Sequence, residues 1–158
     1  MKRAVIYFSL SNNTKDVAEK IAALCEADIY RMEMVKSLPE KFSKQIMIGG
    51  MQSTFGMKPK IKGLPEDITS YDEIILGTPI WAGKCASPVN SVLANSELCK
   101  KIVAVFTFSG GGDNAKCERQ LRGKLPNVKH IIALADRQND LSKNNSAKVE
   151  EFIGNLKA

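Results

Sequence analysis

Three short stretches hold the residue types that could do chemistry. The first is Ser9, Ser11, Asn12, Asn13 and Thr14, short hydroxyl and amide side chains that follow an apolar run from Ala4 to Ser9 with Arg3 before it. From Asp16 onward the chain turns amphipathic, with Val17, Ala18, Ile21, Ala22 and Cys25 at helical spacing. Strand, hydroxyl-rich turn and helix together suit a phosphate, because the first turn of a helix exposes unpaired N–H groups and the positive end of its dipole. An ordinary turn capped by Asn13 or Ser11 uses the same residues. The second stretch is Thr78, Pro79, Ile80, Trp81, Ala82, Gly83 and Lys84, directly after the apolar run Tyr71–Leu76 and Gly77. A tryptophan in a Gly- and Pro-bounded loop after a buried strand is a candidate for ligand contact, the alternative being a core or interface residue. The third is Ser109, Gly110, Gly111 and Gly112, which closes the most apolar run, Lys101–Phe108. Three glycines alone read equally well as a surface turn.

The elements that would position these stretches alternate along the chain. Ala27–Met34 reads as an edge strand. Ser37 can cap a helix entered through Leu38, Pro39 and Glu40, with Phe42, Ile46, Met47 and Met51 as its stripe, ended by Pro59, Gly63 and Pro65. Gly49 and Gly50 weaken that helix by about 1 kcal/mol each relative to alanine. After the Trp81 loop, Ser87 caps a helix with Pro88 in its first turn and Val89, Val92 and Leu93 on its apolar face. Asp113 or Asn114 caps the next, with Ala115, Cys117, Leu121 and Leu125. Val128–Ala135 is the last strand; a polar loop, Asp136–Asn145, leads to a terminal helix with Val149, Phe152, Ile153 and Leu156 on one face. Strand and helix alternating five times, with short right-handed connections, require a parallel sheet covered on both faces. The three unusual stretches then fall at the carboxyl ends of strands one, three and four, where such sheets bind ligands.

The totals exclude several classes. A length of 158 residues allows one α/β domain, 1–158, with a full core. No apolar run approaches membrane-spanning length and the start lacks a signal-peptide pattern, which predicts a cytoplasmic protein without a membrane partner. The net charge of +6 favours anionic partners in general. No basic stripe interleaved with aromatics appears, which argues against nucleic acid. Cys25, Cys85, Cys99 and Cys117 show no metal-ligand pairing, so the expectation is no metal and four reduced cysteines, with Cys85 a packing thiol. His130 reads as structural, and no side chain stands out as a catalytic acid or base.

These residues resemble the flavodoxin family along essentially the whole chain. Ser9-Leu10-Ser11-Asn12-Asn13-Thr14 is similar to the family's phosphate loop, [ST]-x-[ST]-G-x-T, with Asn12 in place of glycine. Tyr71 to Gly83 is similar to the YDxIxxGxPIWxG pattern of the shorter flavodoxin-like proteins, and Ser87, Pro88, Val89, Val92 and Leu93 fit the helix that follows it. The resemblance implies a flavodoxin-like three-layer sandwich, a five-stranded parallel sheet of order 2-1-3-4-5 with helices on both faces. FMN at the switch between strands one and three is the established placement in flavodoxins and is carried over here with the resemblance. It assigns the phosphate to Ser9, Ser11, Asn12, Asn13 and Thr14. Thr78, Pro79, Ile80, Trp81, Ala82, Gly83 and Lys84 form the second flavin loop, with Trp81 stacked on the ring. Ser109, Gly110, Gly111 and Gly112 approach the pyrimidine edge.

The implied function is electron transfer through non-covalently bound FMN, with a redox protein or a small donor or acceptor such as NAD(P)H or a quinone as partner. The alternatives are an NAD(P)H-dependent FMN quinone or flavin reductase, and a flavodoxin-fold binding domain that has lost FMN, for which Asn12 is the best support. Whether the chain is an enzyme stays open at this level, as does monomer against homodimer. Lys84 beside the ring would raise the flavin's reduction potential. The Met-rich segment 42–57 is a candidate cover for the second flavin face.

Overall fold

The computed structural model describes residues 1–158. Its central sheet is built from β1 (Arg3–Tyr7), β2 (Asp28–Arg31), β5 (Glu73–Trp81), β7 (Ile102–Ser109) and β8 (His130–Ala135). These five strands are parallel and lie in the order β2-β1-β5-β7-β8, which is 2-1-3-4-5 when only they are counted. Between them run α1 (Asn12–Leu24), β3 (Glu33–Met34), α2 (Phe42–Thr54), β4 (Ile61–Lys62), β6 (Lys84–Cys85), α3 (Ser87–Leu93), α4 (Ser96–Lys101) and α5 (Ala115–Lys124), and α6 (Asn145–Lys157) closes the chain.

The strands read as apolar runs because both sheet faces are covered. Along β1, Ala4 and Ile6 enter one core with residues of α3, α4 and α5, whereas Val5 and Tyr7 enter a second core with α1 and α6. Where β5 passes β7, Gly77 lies in register with Phe106. A Cβ on Gly77 would stand 2.2 Å from Phe106 Cζ, so the ring occupies the space a side chain would need. Phe106 is fully buried and meets Phe152 of α6 edge-on, with ring centroids 6.5 Å apart.

Several elements differ from the sequence reading. The sheet has a sixth strand, because β6 folds back antiparallel onto the end of β5. The edge strand expected over Ala27–Met34 divides: β2 stops at Arg31, and β3 leaves to pair with β4 as a separate antiparallel ribbon. Gly63 permits that crossing, since its φ is +97° and a Cβ there would meet the Arg31 carbonyl oxygen at 2.1 Å. Lys41, not Ser37, occupies the N-cap of α2. Ser87 is the first residue of α3 rather than its cap, and its hydroxyl donates to Gln52 Oε1 at 2.7 Å, fastening α2 to α3. The helix expected over Ser87–Leu93 is followed by a second one, α4, which Asn95 caps by accepting from the Leu98 N–H.

At the opposite end of the sheet from the carboxyl termini of the strands, the Tyr71 hydroxyl bonds to Asp28 and to Tyr30, and Lys2 Nζ sits 4.2 Å over the Tyr71 ring. Hydrogen bonding to Asp28, then to Tyr30, holds the Tyr71 phenol well above its ordinary pKa. A raised phenol gives stability that is complete below the unfolded value of about 10 and lost as pH rises above it. Tyr71→Phe is therefore expected to flatten the fall in thermal midpoint between about pH 9 and pH 11; an unchanged slope would remove Tyr71 as its source.

Candidate functional site

A cavity of about 450 Å³ opens at the carboxyl ends of β1, β5 and β7, within the usual range for small-molecule sites, roughly 300–1,000 Å³. Its walls come from four places. The turn after β1 and the start of α1 supply Leu10, Ser11 and Thr14; the end of β5 supplies Pro79, Ile80, Trp81 and Ala82. The end of β7 supplies Phe108, Ser109 and Gly110, with Asp136 from beyond β8. Phe42, Gln45, Ile46 and Gly50 of α2 form the remaining wall.

At the first turn, Ser11 stands at the N-cap of α1 with extended backbone (φ −96°, ψ 173°) yet makes no side-chain cap hydrogen bond. The leading amides of α1 therefore keep their donors for something else. Thr14 is buried one turn in. Ser9 is also buried, and its hydroxyl donates to the Ser11 carbonyl, so it shapes the turn from behind. Arg31 holds the same turn by donating to the Ser9 carbonyl at 2.9 Å. Asn12 is exposed and Asn13 donates to Asp136 at 3.3 Å; neither lines the cavity.

Trp81 is placed by a hairpin. Ala82 and Gly83 have φ of +50° and +81°, the left-handed pair that a tight two-residue hairpin turn requires, and Trp81 pairs with Lys84 across it. Phe8 meets the indole edge-on with centroids 5.5 Å apart. Helix α2 lies against the same ring: a Cβ on Gly49 would come 3.2 Å from Trp81 Cε3. Glycine at this position, unfavourable for the helix in isolation, lets α2 approach the indole. Thr78 is fully buried behind the hairpin, its hydroxyl donating to the Pro79 carbonyl at 2.8 Å.

On the third wall, Ser109 Oγ is buried without a hydrogen-bond partner, an arrangement that costs about 1–3 kcal/mol unless a ligand or water satisfies it. A Cβ on Gly110 or Gly111 would meet nothing within 4 Å, whereas Gly112, at φ +81°, packs toward Ala135. Asp113, rather than the N-cap residue Asn114, accepts the Ala115 N–H at 3.0 Å, and Asn114 donates to Thr107 at 3.1 Å.

Of the residues singled out from sequence, the cavity thus gathers Ser11, Thr14, Pro79, Ile80, Trp81, Ala82, Ser109 and Gly110. Ser9, Thr78, Gly83 and Gly112 support it from behind or at turns. Lys84 lies apart from the lining: its ammonium donates to the Thr54 carbonyl at the end of α2, 3.4 Å away. Lys84→Gln is accordingly expected to leave the potential of any bound redox group nearly unchanged; a clear fall, read by reductive titration, would return the lysine to the site. Leu10 and Asp136 join the lining without a signal in the sequence, whereas Phe42, Gln45, Ile46 and Gly50 fall within the segment 42–57 expected beside the site. The apolar stripe of α2 was legible as a helix, but not its direction.

That direction is inverted. Helix α2 turns Gly49 and Ser53 inward, and Phe42, Ile46, Met47 and Met51 stand exposed, followed by Phe55. Residues 36–62 carry six lysines against one carboxylate, Glu40.

The cysteines also depart from expectation. Cys85 and Cys117 form a disulfide, both fully buried, while Cys25 and Cys99 are free and buried. Cysteine usage therefore no longer argues for a reducing compartment. Burial pushes both free thiols above their ordinary pKa, which keeps them unreactive. No helix is long and apolar enough to cross a membrane.

Comparison with known proteins identifies the fold. A model of the family described as Flavodoxin matches residues 2–147. The structure superposes on a candidate flavoprotein from Bacteroides eggerthii at TM-score 0.76 and 21% identity, covering 99% of this chain and 98% of that one. A flavoprotein from Lactobacillus acidophilus, crystallised in complex with FMN, matches at TM-score 0.69 and 26% identity, over 82% of this chain and 91% of the other. The NAD(P)H:(acceptor) oxidoreductase FerB of Paracoccus denitrificans shares the fold at TM-score 0.56 and 12% identity, over 98% and 94% of the two chains.

Proposed function

The chain belongs to the flavodoxin family, and from that premise we propose that it binds FMN non-covalently in the cavity and passes electrons through it. The observation that carries this reading is the buried, unpartnered Ser109 Oγ on the wall of a cavity that also receives the uncapped start of α1 and the indole of Trp81. A ligand with a phosphate at one end and a polar-edged aromatic ring at the other satisfies all three. The leading amides of α1, with the hydroxyls of Ser11 and Thr14, would hold the phosphate. Trp81 would cover the ring, and Ser109 with the Gly110 backbone would meet its polar edge. Asp136, also in the lining, would offer an acceptor to a ligand hydroxyl. When bound, FMN supplies the electron-carrying chemistry, and the protein's part is to bind, orient and shield it.

The partner follows from the surface beside the cavity. An exposed apolar row on α2, set among lysines, supports an electron partner that presents apolar contacts with anionic surroundings, as charge complementarity speeds encounter. A second reading, an FMN-dependent NAD(P)H reductase of quinones or flavins, has one observation in its favour. Phe42 and Ile46 both line the cavity and stand exposed at its edge, where a second flat ring could pack.

One experiment separates these. FMN is added to purified protein, the mixture is desalted, and the spectrum is followed anaerobically with NADH, NADPH and then dithionite. Retained flavin that ignores both nucleotides and reduces stepwise with dithionite supports the carrier. Rapid bleaching by either nucleotide supports the reductase. Loss of all flavin on desalting overturns both and leaves a binding domain.

A further inference from the structure

The disulfide joins the two cavity walls that carry Trp81 and Ser109. Cys85 ends the hairpin that places Trp81 and is the cross-strand partner of Ile80, itself a cavity residue. Cys117 lies in the first turn of α5, the helix entered directly from the Ser109–Gly112 turn. Cys85 is a junction in other respects too: its carbonyl accepts from Ser53 of α2 at 3.0 Å, so three segments around the cavity meet at one residue. Beside the bond, Cys85 of the hairpin and Cys117 and Leu121 of α5 share one apolar core, against which Ile80 and Trp81 pack. Gln120 Oε1 accepts the Cys85 N–H at 3.5 Å, and Gly83 packs toward the Lys116 stem. The two cysteines remote from the cavity, Cys25 and Cys99, are unbonded.

Building on the FMN reading of the cavity, we propose that the Cys85–Cys117 bond is a reversible thiol–disulfide site that sets how tightly the cavity holds its flavin. Oxidised, it fixes the Trp81 hairpin against the start of α5. Reduced, two thiols need more room than one bond in a place with no exposed surface, and the hairpin and α5 move apart. The co-reactant is a dithiol. Its thiolate attacks one sulfur and expels the other as a cysteine thiolate, giving a mixed disulfide. Its second thiol then displaces the remaining cysteine. Two electrons and two protons pass to Cys85 and Cys117, and the dithiol leaves as a disulfide. Because both sulfurs are buried, exchange requires local opening of the hairpin, which FMN opposes.

Linkage makes the effect reciprocal. If oxidation tightens FMN binding by a given factor, FMN must make the bond harder to reduce by the same factor.

The test uses the full chain carrying Cys25→Ser and Cys99→Ser, so that a thiol count reports on this pair alone; unmodified protein is run beside it. FMN affinity is measured in the oxidised form and in the dithiothreitol-reduced form after anaerobic removal of reductant. The dithiol/disulfide midpoint is measured with and without FMN. We expect affinity about tenfold weaker after reduction, and a midpoint about 30 mV more negative with FMN, the two-electron equivalent of tenfold. Equal affinity in both forms, or a midpoint indifferent to FMN, overturns the proposal while leaving the FMN site intact. Failure of both forms to bind FMN removes the site reading itself, and the proposal with it. Chemical reduction rather than substitution decides, because Cys85→Ala with Cys117→Ala would remove the crowding of two thiols along with the bond.

Discussion

Trp81→Ala is expected to weaken FMN binding by about 2–3 kcal/mol, roughly 30- to 150-fold in Kd. The estimate combines the apolar area an indole removes from water with an aromatic pairing contribution of about 0.5–1.5 kcal/mol. Trp81 also packs against Gly49 and Phe8, so the alanine variant will lose some stability, and the Kd must be measured well below its melting midpoint. Trp81→Phe separates the two effects: a smaller ring keeps the stacking surface and should restore most of the affinity. If the alanine variant binds FMN as tightly as the parent, the indole is a packing residue and the cavity's aromatic wall has no role in recognition.

Gly77→Ala acts on the fold rather than the ligand, and its effect should be as large. The new Cβ would lie 2.2 Å from Phe106 Cζ and 2.6 Å from Phe106 Cε2, inside a fully buried ring that is itself packed on Phe152. Neither β5 nor β7 can yield, since both are interior strands paired on two sides. Overpacking of this kind costs about 3 kcal/mol, the upper end of the usual range. Denaturant unfolding should show the loss, and Phe106→Leu in the same chain should recover part of it, because the two residues share one space. A Gly77→Ala protein as stable as the parent would mean that the β5–β7 register permits a side chain there.

Much of this architecture was legible from apolar periodicity and punctuation. Ala4–Phe8, Ile74–Leu76 and Ile102–Phe106 are runs without polar interruption because helices cover both faces, and such runs admit few alternatives. The three turns at their carboxyl ends stood out because serines, glycines and a tryptophan follow buried strands directly. What stayed hidden depended on long-range packing. Lys84 follows Trp81 in sequence, but the tight turn at Ala82 and Gly83 sends its ammonium to α2 instead of the cavity. Gly49 looked like a helix weakness, and only the indole across from it explains the absence of a side chain. The stripe Phe42, Ile46, Met47 and Met51 was recognised as one helical face, yet periodicity does not say whether a face points inward, and here it points out. Asp136 carried no signal, being one polar residue in a polar loop. The Cys85–Cys117 pairing was equally unreadable, since four cysteines without a spacing pattern allow several connectivities or none.

The inverted face of α2 and the cavity beside it belong to one account. A helix that gives its small residues to Trp81 and Cys85 has its large ones free for a partner, and it does so at the edge of the site through which electrons would pass. Interior packing of the sheet provides rigidity, while the cavity wall made by α2 is fastened by the Gly49 contact and by hydrogen bonds from Ser53 to the Cys85 carbonyl and from Ser87 to Gln52.

Trp81 is the only tryptophan in the chain, so the central claim has a direct optical readout. Titrating FMN into the oxidised protein while following tryptophan emission should give saturable quenching that ends at one FMN per chain, with the flavin retained on desalting. Emission that falls only in proportion to added absorbance, with no flavin retained, would contradict an FMN site in this cavity.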